Sequence, residues 1–294
     1  MRRFSVSALV FNVTAASVVS GGVGGLLWLR DQQAVALAVG VLGVGFVAWR
    51  MRRWARRLVG GDEPSAAVRR VLEERVWFYK RLAPAEKARF RREVRWFLMD
   101  HNIIGVKVQV DDELRALVAA SAVTLSFGLP AWEWETTRDI LLYPSAYTED
   151  YEHSSRKGTR LGQVGHQGPI IFSAPALRAG FSDTKDGHNV GLHEFAHVID
   201  LEDGAADGAP AHLDWPSVGP WVEQMRGHLL RAEREERRAK VLRQYGYTNE
   251  AEFFACATEM FFEQPRALKA RAPELYALMA EFYGQDFVVG GEAA

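Results

Sequence analysis

The segment HEFAH, at residues 193–197, constrains this chain more than any other feature of its sequence. Residues four positions apart lie on the same face of an α-helix, so both imidazoles can reach one metal ion only if the segment is helical. Glu194 follows the first histidine and can take a proton from a metal-bound water. The pattern predicts a helical zinc site with His193 and His197 as ligands and Glu194 as general base. The competing interpretation is a buried helix with two incidental histidines.

A catalytic zinc ion usually has three protein ligands and a water molecule, so a third ligand must come from elsewhere in the chain. Asp203, six residues after His197, is one candidate, but proteins with that spacing turn at a glycine where this sequence has Asp200. Glu252 is the other candidate, in a predicted helix where Glu252 and Glu259 share one face. The sequence favours Glu252 as the third ligand and leaves Asp203 as an alternative.

Two further acids could support such a site. Asp200 lies about one turn beyond His197 and could hold a ligand in position through a hydrogen bond, or it could be a surface acid. Glu259 could accept the free N–H of a ligand histidine, or it could pair with an arginine, because a buried acid needs a partner. Both alternatives stay open for each residue.

Charge and cysteine content exclude some classes of protein. The formal net charge is −1 and the isoelectric point is near 6.7, so the chain lacks the basic excess usual in a nucleic-acid-binding domain. Cys256 is the only cysteine, which rules out a disulfide within the chain and is simplest to reconcile with a reducing compartment.

Residues 1–59 contain two apolar runs, at 4–29 and 34–49, and almost no acids. The first is long enough to cross a bilayer, which takes about 20 residues, and polar flanks can extend the second. Arginines precede the first run and follow the second, so the positive-inside rule predicts a transmembrane hairpin with both ends in the cytoplasm. A secretory signal and a soluble helical pair are the alternatives. Residues 60–67 form a predicted linker, and 68–294 form the remaining domain.

Periodicity and turn signals predict an α+β fold after the linker. The predicted strands are 105–110, 139–144 and 169–174, and the predicted helices are 68–82, 85–101, 112–127, 188–200, 220–244, 249–263 and 266–283. The last of the three strands has two interpretations. It could be an edge strand beside the cleft, to which a peptide could add, or a simple core strand.

Several separated segments together resemble the Mlc titration factor A family of zinc peptidases. The resemblance is carried by "DGHNVGLHEFAHVIDLEDG" and "AEFFACATEMFFE", with "LAPAEKARFRREVRWFL", "ILLYPSAY" and "GQVGHQGPIIFS" upstream. It runs from about residue 78 to 283. It implies a zincin-like, gluzincin-type domain that is mostly helical with a small mixed sheet, here preceded by two predicted transmembrane helices.

The resemblance also implies roles for particular residues. Three side chains would hold the zinc: His193, His197 and Glu252. Glu194 would be the general base, and Tyr245 would point its hydroxyl at the oxyanion, where a donor stabilises developing charge. The phenol of Tyr247 is an equally available donor by chemistry alone.

The expected function is hydrolysis of peptide bonds by a zinc-activated water in a membrane-anchored protein. The catalytic domain would face the cytoplasm at a bacterial inner membrane, with a soluble cytoplasmic protein as the alternative. The resemblance implies an aminopeptidase, since the family's known member is one that also binds a transcription repressor. The rival function is a zinc scaffold that binds a regulatory partner protein without catalysis, and a third is hydrolysis of a non-peptide amide.

Overall fold

A computed structural model describes residues 37–45, 47, 61, 63–129, 132, 134, 139–144, 168–210, 215–233 and 241–288, without the side chains of 203, 215 and 216. The chain divides into two compact units, Met1–Asp62 and Glu63–Ala294.

The first unit is described at residues 37–45 and at a few further positions. Residues 37–45 are helical. Among the described residues, no helix is long and apolar enough to cross a membrane. The predicted span at 4–29 lies outside the described residues, and the one at 34–49 is described only in part.

In its described residues, the second unit is mostly helical with one small sheet. Its helices are α1 (Ala66–Arg75), α2 (Trp77–Arg81), α3 (Pro84–Asp100), α4 (Asp112–Ser126), α5 (Ala174–Gly180), α6 (Val190–Asp200), α7 (Trp215–Glu233), α8 (Glu250–Glu263), α9 (Pro265–Arg271) and α10 (Pro273–Tyr283). Its strands are β1 (Ile103–Gly105), β2 (Ile140–Tyr143) and β3 (Ile170–Ser173). This composition confirms the α+β class.

The described sheet has the order β1-β2-β3, and both pairings are parallel, with Ile103 opposite Ile140 and Ile140 opposite Ile170. The prediction of a mixed sheet is therefore wrong for the described strands. Parallel neighbours need a long crossover, and α4 provides it between β1 and β2. The strand predicted at 105–110 ends at Gly105, because Lys107 has φ +61°, which no extended strand accommodates.

Two predicted helices are each divided in two. The helix predicted at 68–82 is interrupted at Val76, which has extended backbone angles between α1 and α2. The helix predicted at 266–283 is interrupted at Ala272, because Pro273 cannot donate a backbone hydrogen bond inside a helix and instead begins α10. The predicted bounds of 249–263 agree with α8, whose N-cap Asn249 accepts a hydrogen bond from the Glu252 amide.

The centre of the second unit is α4, where nearly all residues from Leu114 to Ser126 are buried. Helices α1, α3 and α6 pack against it. Gly191 lies where α6 meets α4, and a Cβ there would be 2.1 Å from Ser121 Oγ and 3.0 Å from Ser121 Cβ. Glycine is therefore required at position 191 for the HEFAH helix to pack this close to the core.

Helix α8 also packs against α6 and is buried from Glu252 to Glu263. Its aromatic side chains fill the surrounding core: Phe253, Phe254, Phe261 and Phe262. Because the helix is enclosed, three of its carboxylates are buried with it: Glu252, Glu259 and Glu263. A buried carboxylate is costly unless a cation or hydrogen-bond donors compensate its charge, so α8 demands polar partners from its neighbours.

His228 in α7 gives the fold a pH-dependent weakness. Its ring is buried 5.7 Å from that of Phe253. Burial, followed by the nearby charge of Arg231, lowers its pKa from 6.5 to about 4. The unfolded chain therefore binds more protons between these pH values, and the free energy of unfolding falls as the pH drops through that window, by up to about 3 kcal/mol.

We expect His228→Gln to flatten the fall in stability between pH 6.5 and 4. Urea unfolding at a series of pH values measures the slope. His188→Gln is the matched control because that histidine is exposed, and this variant should keep the wild-type slope. An unchanged slope in His228→Gln would show that other groups cause the acid sensitivity.

Candidate metal centre

Asn189 fixes the start of the HEFAH helix against two neighbouring helices. Its side-chain oxygen accepts from the Leu192 amide and caps α6. Its own backbone N–H donates to Glu259 Oε2 at 2.5 Å, and its Nδ2 donates to the Gly180 carbonyl at 2.9 Å and to Glu263 Oε1 at 3.1 Å. The orientation of α6 is thus tied to the end of α5 and to α8.

His193, His197 and Glu252 bring three ligand atoms to one place. The two Nε2 atoms are 3.2 Å apart, and Glu252 Oε2 lies 3.1 Å from His193 Nε2 and 3.5 Å from His197 Nε2. Tetrahedral ligands at zinc bond lengths of 2.0–2.1 Å lie about 3.3 Å apart. The triangle therefore has the dimensions that a small tetrahedral metal ion requires, and the donor set fits such an ion.

The carboxylate at this corner is itself suited to a cation. Glu252 is 1% exposed, and its Oε2 makes no well-directed hydrogen bond in the described part of the chain. Burial raises the pKa of Glu252, but the adjacent imidazoles of His193 and His197 outweigh it, and the net pKa lies well below the ordinary value. The carboxylate is ionised at neutral pH and faces the imidazoles.

Glu259 makes both contacts that the sequence offered as alternatives, one with a histidine and one with an arginine. Its Oε1 lies 2.7 Å from His193 Nδ1 and accepts from Arg243 Nη2 at 2.8 Å. A carboxylate only accepts, so Nδ1 of His193 carries the hydrogen, and in the neutral ring the Nε2 lone pair faces His197 and Glu252. Burial lowers the pKa of His193, but Glu259 and the other neighbours raise it well above 6.5 overall, so this corner attracts positive charge.

The structure separates the two tyrosines that the sequence left as alternatives. Tyr245 donates its hydroxyl to Glu252 Oε1 at 2.9 Å, at the edge of the ligand triangle. The hydroxyl of Tyr247 accepts from the amides of Val241 at 2.8 Å and Leu242 at 3.1 Å, so it holds the backbone.

Both tyrosines belong to a 3-10 turn, Gln244–Tyr247, that rests on α8. A Cβ at Gly246 would lie 2.8 Å from the Cβ of Cys256, so only glycine allows this close approach. The turn is thereby pressed onto the same helix that carries Glu252, which brings Tyr245 to the triangle.

The remaining predicted residues are placed as follows. Glu194 is half-buried, and burial raises its pKa while the charges of His193 and His197 oppose the rise. Asp200 is fully buried, and its Oδ2 accepts from the Gly208 amide at 3.1 Å, which ties down the loop after α6. Asp203 ends the 3-10 turn after α6, and its side chain lies outside the described structure.

Sequence reasoning missed Arg243 and the full role of Asn189. Arg243 reaches Glu259, which lies 16 residues further along the chain, so no local spacing marks the pair. Asn189 lies at the start of the helix predicted at 188–200 and is a recognisable N-cap type, which was the one available signal. Its contacts to α5 and α8 depend on the tertiary fold.

Two imidazoles on one helix and a buried carboxylate on a second form a group that could hold a metal ion, the ligand set expected of a metallopeptidase domain. The chain belongs to the glucose-regulated metallo-peptidase M90 family, whose model matches residues 48–284. This confirms the resemblance at the level of the family.

Relatives named Mlc titration factor A agree with this assignment. The protein from Edwardsiella ictaluri is 32% identical over 192 residues, which cover 59% of this chain and 72% of that protein. The protein from Escherichia fergusonii is 27% identical over 222 residues, or 70% and 81%. An uncharacterized protein of Synechocystis sp. is 30% identical over 231 residues, or 72% and 82%.

Proposed function

We propose that this protein is a zinc-dependent peptidase whose metal is held by His193, His197 and Glu252. The observation that carries the proposal is the triangle of two Nε2 atoms and one carboxylate oxygen, with sides of 3.1, 3.2 and 3.5 Å. Two imidazoles and one carboxylate suit zinc, and a three-ligand site leaves a position for water or substrate. Bound zinc would lower the pKa of that water and polarise the scissile carbonyl.

The chain's own residues would carry the proton and hold the geometry. Glu194, next to His193 in α6, would accept the proton of the attacking water and pass it to the leaving amine. Its burial supports that role, because burial raises the pKa of the carboxyl, the direction in which general-base glutamates are shifted. Glu259 would keep His193 in the Nδ1–H tautomer, which directs the Nε2 lone pair to the ion.

Tyr245 would stabilise the oxyanion that forms when water attacks the carbonyl. Its hydroxyl already lies at the triangle, 2.9 Å from Glu252 Oε1, so it is held near the reacting atoms before substrate arrives. A preorganised donor aimed at developing charge contributes strongly to acyl-transfer reactions.

The test of this proposal is metal removal. We expect the purified protein to contain about one zinc ion per chain, to hydrolyse members of a peptide library, and to lose this activity on dialysis against a chelator. Zinc should restore activity, whereas magnesium should not. Peptides with free and with acetylated amino termini separate aminopeptidase from internal cleavage. Full hydrolysis by metal-free protein would rule the proposal out.

A second candidate function is binding of a regulatory protein, because relatives of this chain are named as titration factors of Mlc. The metal centre would then be a scaffold. The same assay separates the two functions, since a scaffold would bind zinc stoichiometrically and cleave no peptide in the library.

We also propose that the segment before residue 60 attaches the protein to a membrane. The support is the pair of apolar runs with basic flanks and the exposure of four apolar side chains on the helical residues 37–45: Leu37, Val41, Leu42 and Val44. We expect the full chain to stay in the membrane fraction after a carbonate wash and a chain lacking residues 1–59 to be released. Recovery of the full chain in the supernatant would contradict this.

A further inference from the structure

Arg243 connects two parts of the metal centre that the chain brings in separately. Its Nη2 donates to Glu259 Oε1 at 2.8 Å, and its guanidinium carbon lies 5.1 Å from the ring centroid of Tyr245. The first contact reaches the carboxylate behind His193. The second reaches the phenol that donates to Glu252.

The contact with Glu259 decides how firmly that carboxylate holds His193. Glu259 is fully buried, and its donors are Arg243 and the His193 Nδ1–H on Oε1 and the Asn189 amide on Oε2. Of these partners, Arg243 carries a permanent positive charge, and its side chain is 26% exposed to solvent. Without it, a buried carboxylate would keep less compensation for its charge and more freedom to rotate away from the imidazole.

The contact with Tyr245 fixes the aromatic ring rather than the hydroxyl. Arg243 is the residue directly before the 3-10 turn Gln244–Tyr247, and its guanidinium lies within the range of a cation–π interaction. A ring held on one face keeps its hydroxyl directed at Glu252. A planar guanidinium can hydrogen-bond to a carboxylate and stack on a ring at once, whereas a lysine ammonium is a compact point charge.

We propose that Arg243 is a positioning residue for the metal centre, holding Glu259 against His193 and the Tyr245 ring beside Glu252. This inference rests on the proposed function, because the ligand set it serves is the proposed zinc site. It predicts that loss of Arg243 weakens both metal binding and turnover, through different contacts.

The experiment measures zinc affinity by competition with a chromogenic chelator, and then kcat and KM at saturating zinc. We expect Arg243→Gln to weaken zinc binding about 10- to 100-fold, the range for losing a group behind a ligand histidine. At saturating zinc, kcat should fall more than KM rises. Arg243→Lys should recover part of the zinc affinity through its charge and less of the kcat.

The matched control is Arg91→Gln. Arg91 also pairs with a glutamate and a tyrosine, donating to Glu63 at 2.7 Å and to the Tyr79 hydroxyl at 2.8 Å, with a side chain 21% exposed. Its loss removes contacts of an α3 arginine with the same two residue types, a glutamate and a tyrosine, outside the ligand triangle, and should leave zinc affinity and kcat unchanged.

A double-mutant cycle shows whether Arg243 acts through Glu259. Glu259→Gln should itself weaken zinc binding, and adding Arg243→Gln should cause little further loss of zinc affinity, because the two residues form one unit. Fully additive losses would contradict the proposed route. If Arg243→Gln does not fold, Arg243→Lys in the wild-type and Glu259→Gln backgrounds tests the same route through Glu259.

The outcomes distinguish this inference from the proposed function. A wild-type protein that binds no zinc overturns the proposed function itself. Wild-type zinc affinity and kcat in Arg243→Gln overturn only the positioning role. A raised KM with unchanged zinc affinity and kcat would instead assign Arg243 to substrate binding and would also overturn it.

Discussion

Glu194→Gln is expected to bind zinc as the wild type does and to lose peptide hydrolysis, with kcat reduced about 10²- to 10⁴-fold. Glutamine has the size of glutamate and preserves the packing of α6, but its amide cannot accept the proton of an attacking water. His193 and His197 keep their positions, so the metal content should not change. Metal analysis and initial rates on the same preparation provide the two measurements.

Glu194→Asp is the informative companion variant, because it keeps a carboxylate but withdraws it from the reacting water. It should retain zinc and recover a fraction of the activity that Glu194→Gln loses. Activity close to wild type in Glu194→Gln would remove this residue from the reaction and would favour a different base. Absence of activity in wild type and variants alike would favour the partner-binding function.

We expect Glu252→Gln and Glu252→Ala to reduce zinc affinity more than about 100-fold. Loss of a residue that only hydrogen-bonds a metal ligand reduces affinity about 10- to 100-fold. Glu252 supplies one of three converging donors, and two imidazoles alone leave a small ion poorly held. Competition with a chelator measures the affinity. Hydrolysis should be lost in parallel and should return only partly at high zinc concentration.

The matched control for this prediction is Glu250→Gln. Glu250 belongs to the same first turn of α8, two residues before Glu252, but its side chain is exposed. The Glu250→Gln variant should bind zinc as tightly as the wild type. Full zinc retention by Glu252→Ala would move the third ligand to Asp203 or to another acid.

The part of the site that lies within one helix could be read from the sequence. His193 and His197 share a helical face because of their spacing alone, and the N-caps Asn189 and Asn249 are local signals that mark where α6 and α8 begin. The α+β class also follows from local periodicity. None of these conclusions needs a contact between distant segments.

Other conclusions required the packed structure. Spacing left Asp203 and Glu252 open as the third ligand, and the packing of α8 on α6 brings Glu252 Oε2 to 3.1 Å from His193. Chemistry left Tyr245 and Tyr247 equal, and the amides of two buried residues engage the hydroxyl of Tyr247. Two acids are chemically similar and two tyrosines are identical, so local sequence does not choose between the members of either pair.

The direction of the strands and the end of β1 also required the packed structure. Alternating residues at 105–110 predict a strand, but Lys107 adopts a left-handed backbone conformation and the strand ends at Gly105. Strand direction depends on how a crossover returns, which periodicity does not report.

The sequence by itself determined the HEFAH helix with its two histidines and adjacent glutamate, because these follow from spacing along one segment. Several separated motifs determined the family to which the chain belongs. The tertiary structure decided that Glu252 lies beside the two histidines and that Tyr245 donates to it. It also decided that Arg243 contacts Glu259 and the Tyr245 ring. The physical reason is that these contacts join residues far apart in the chain, and burial of α8 between its neighbours is what brings their charges together.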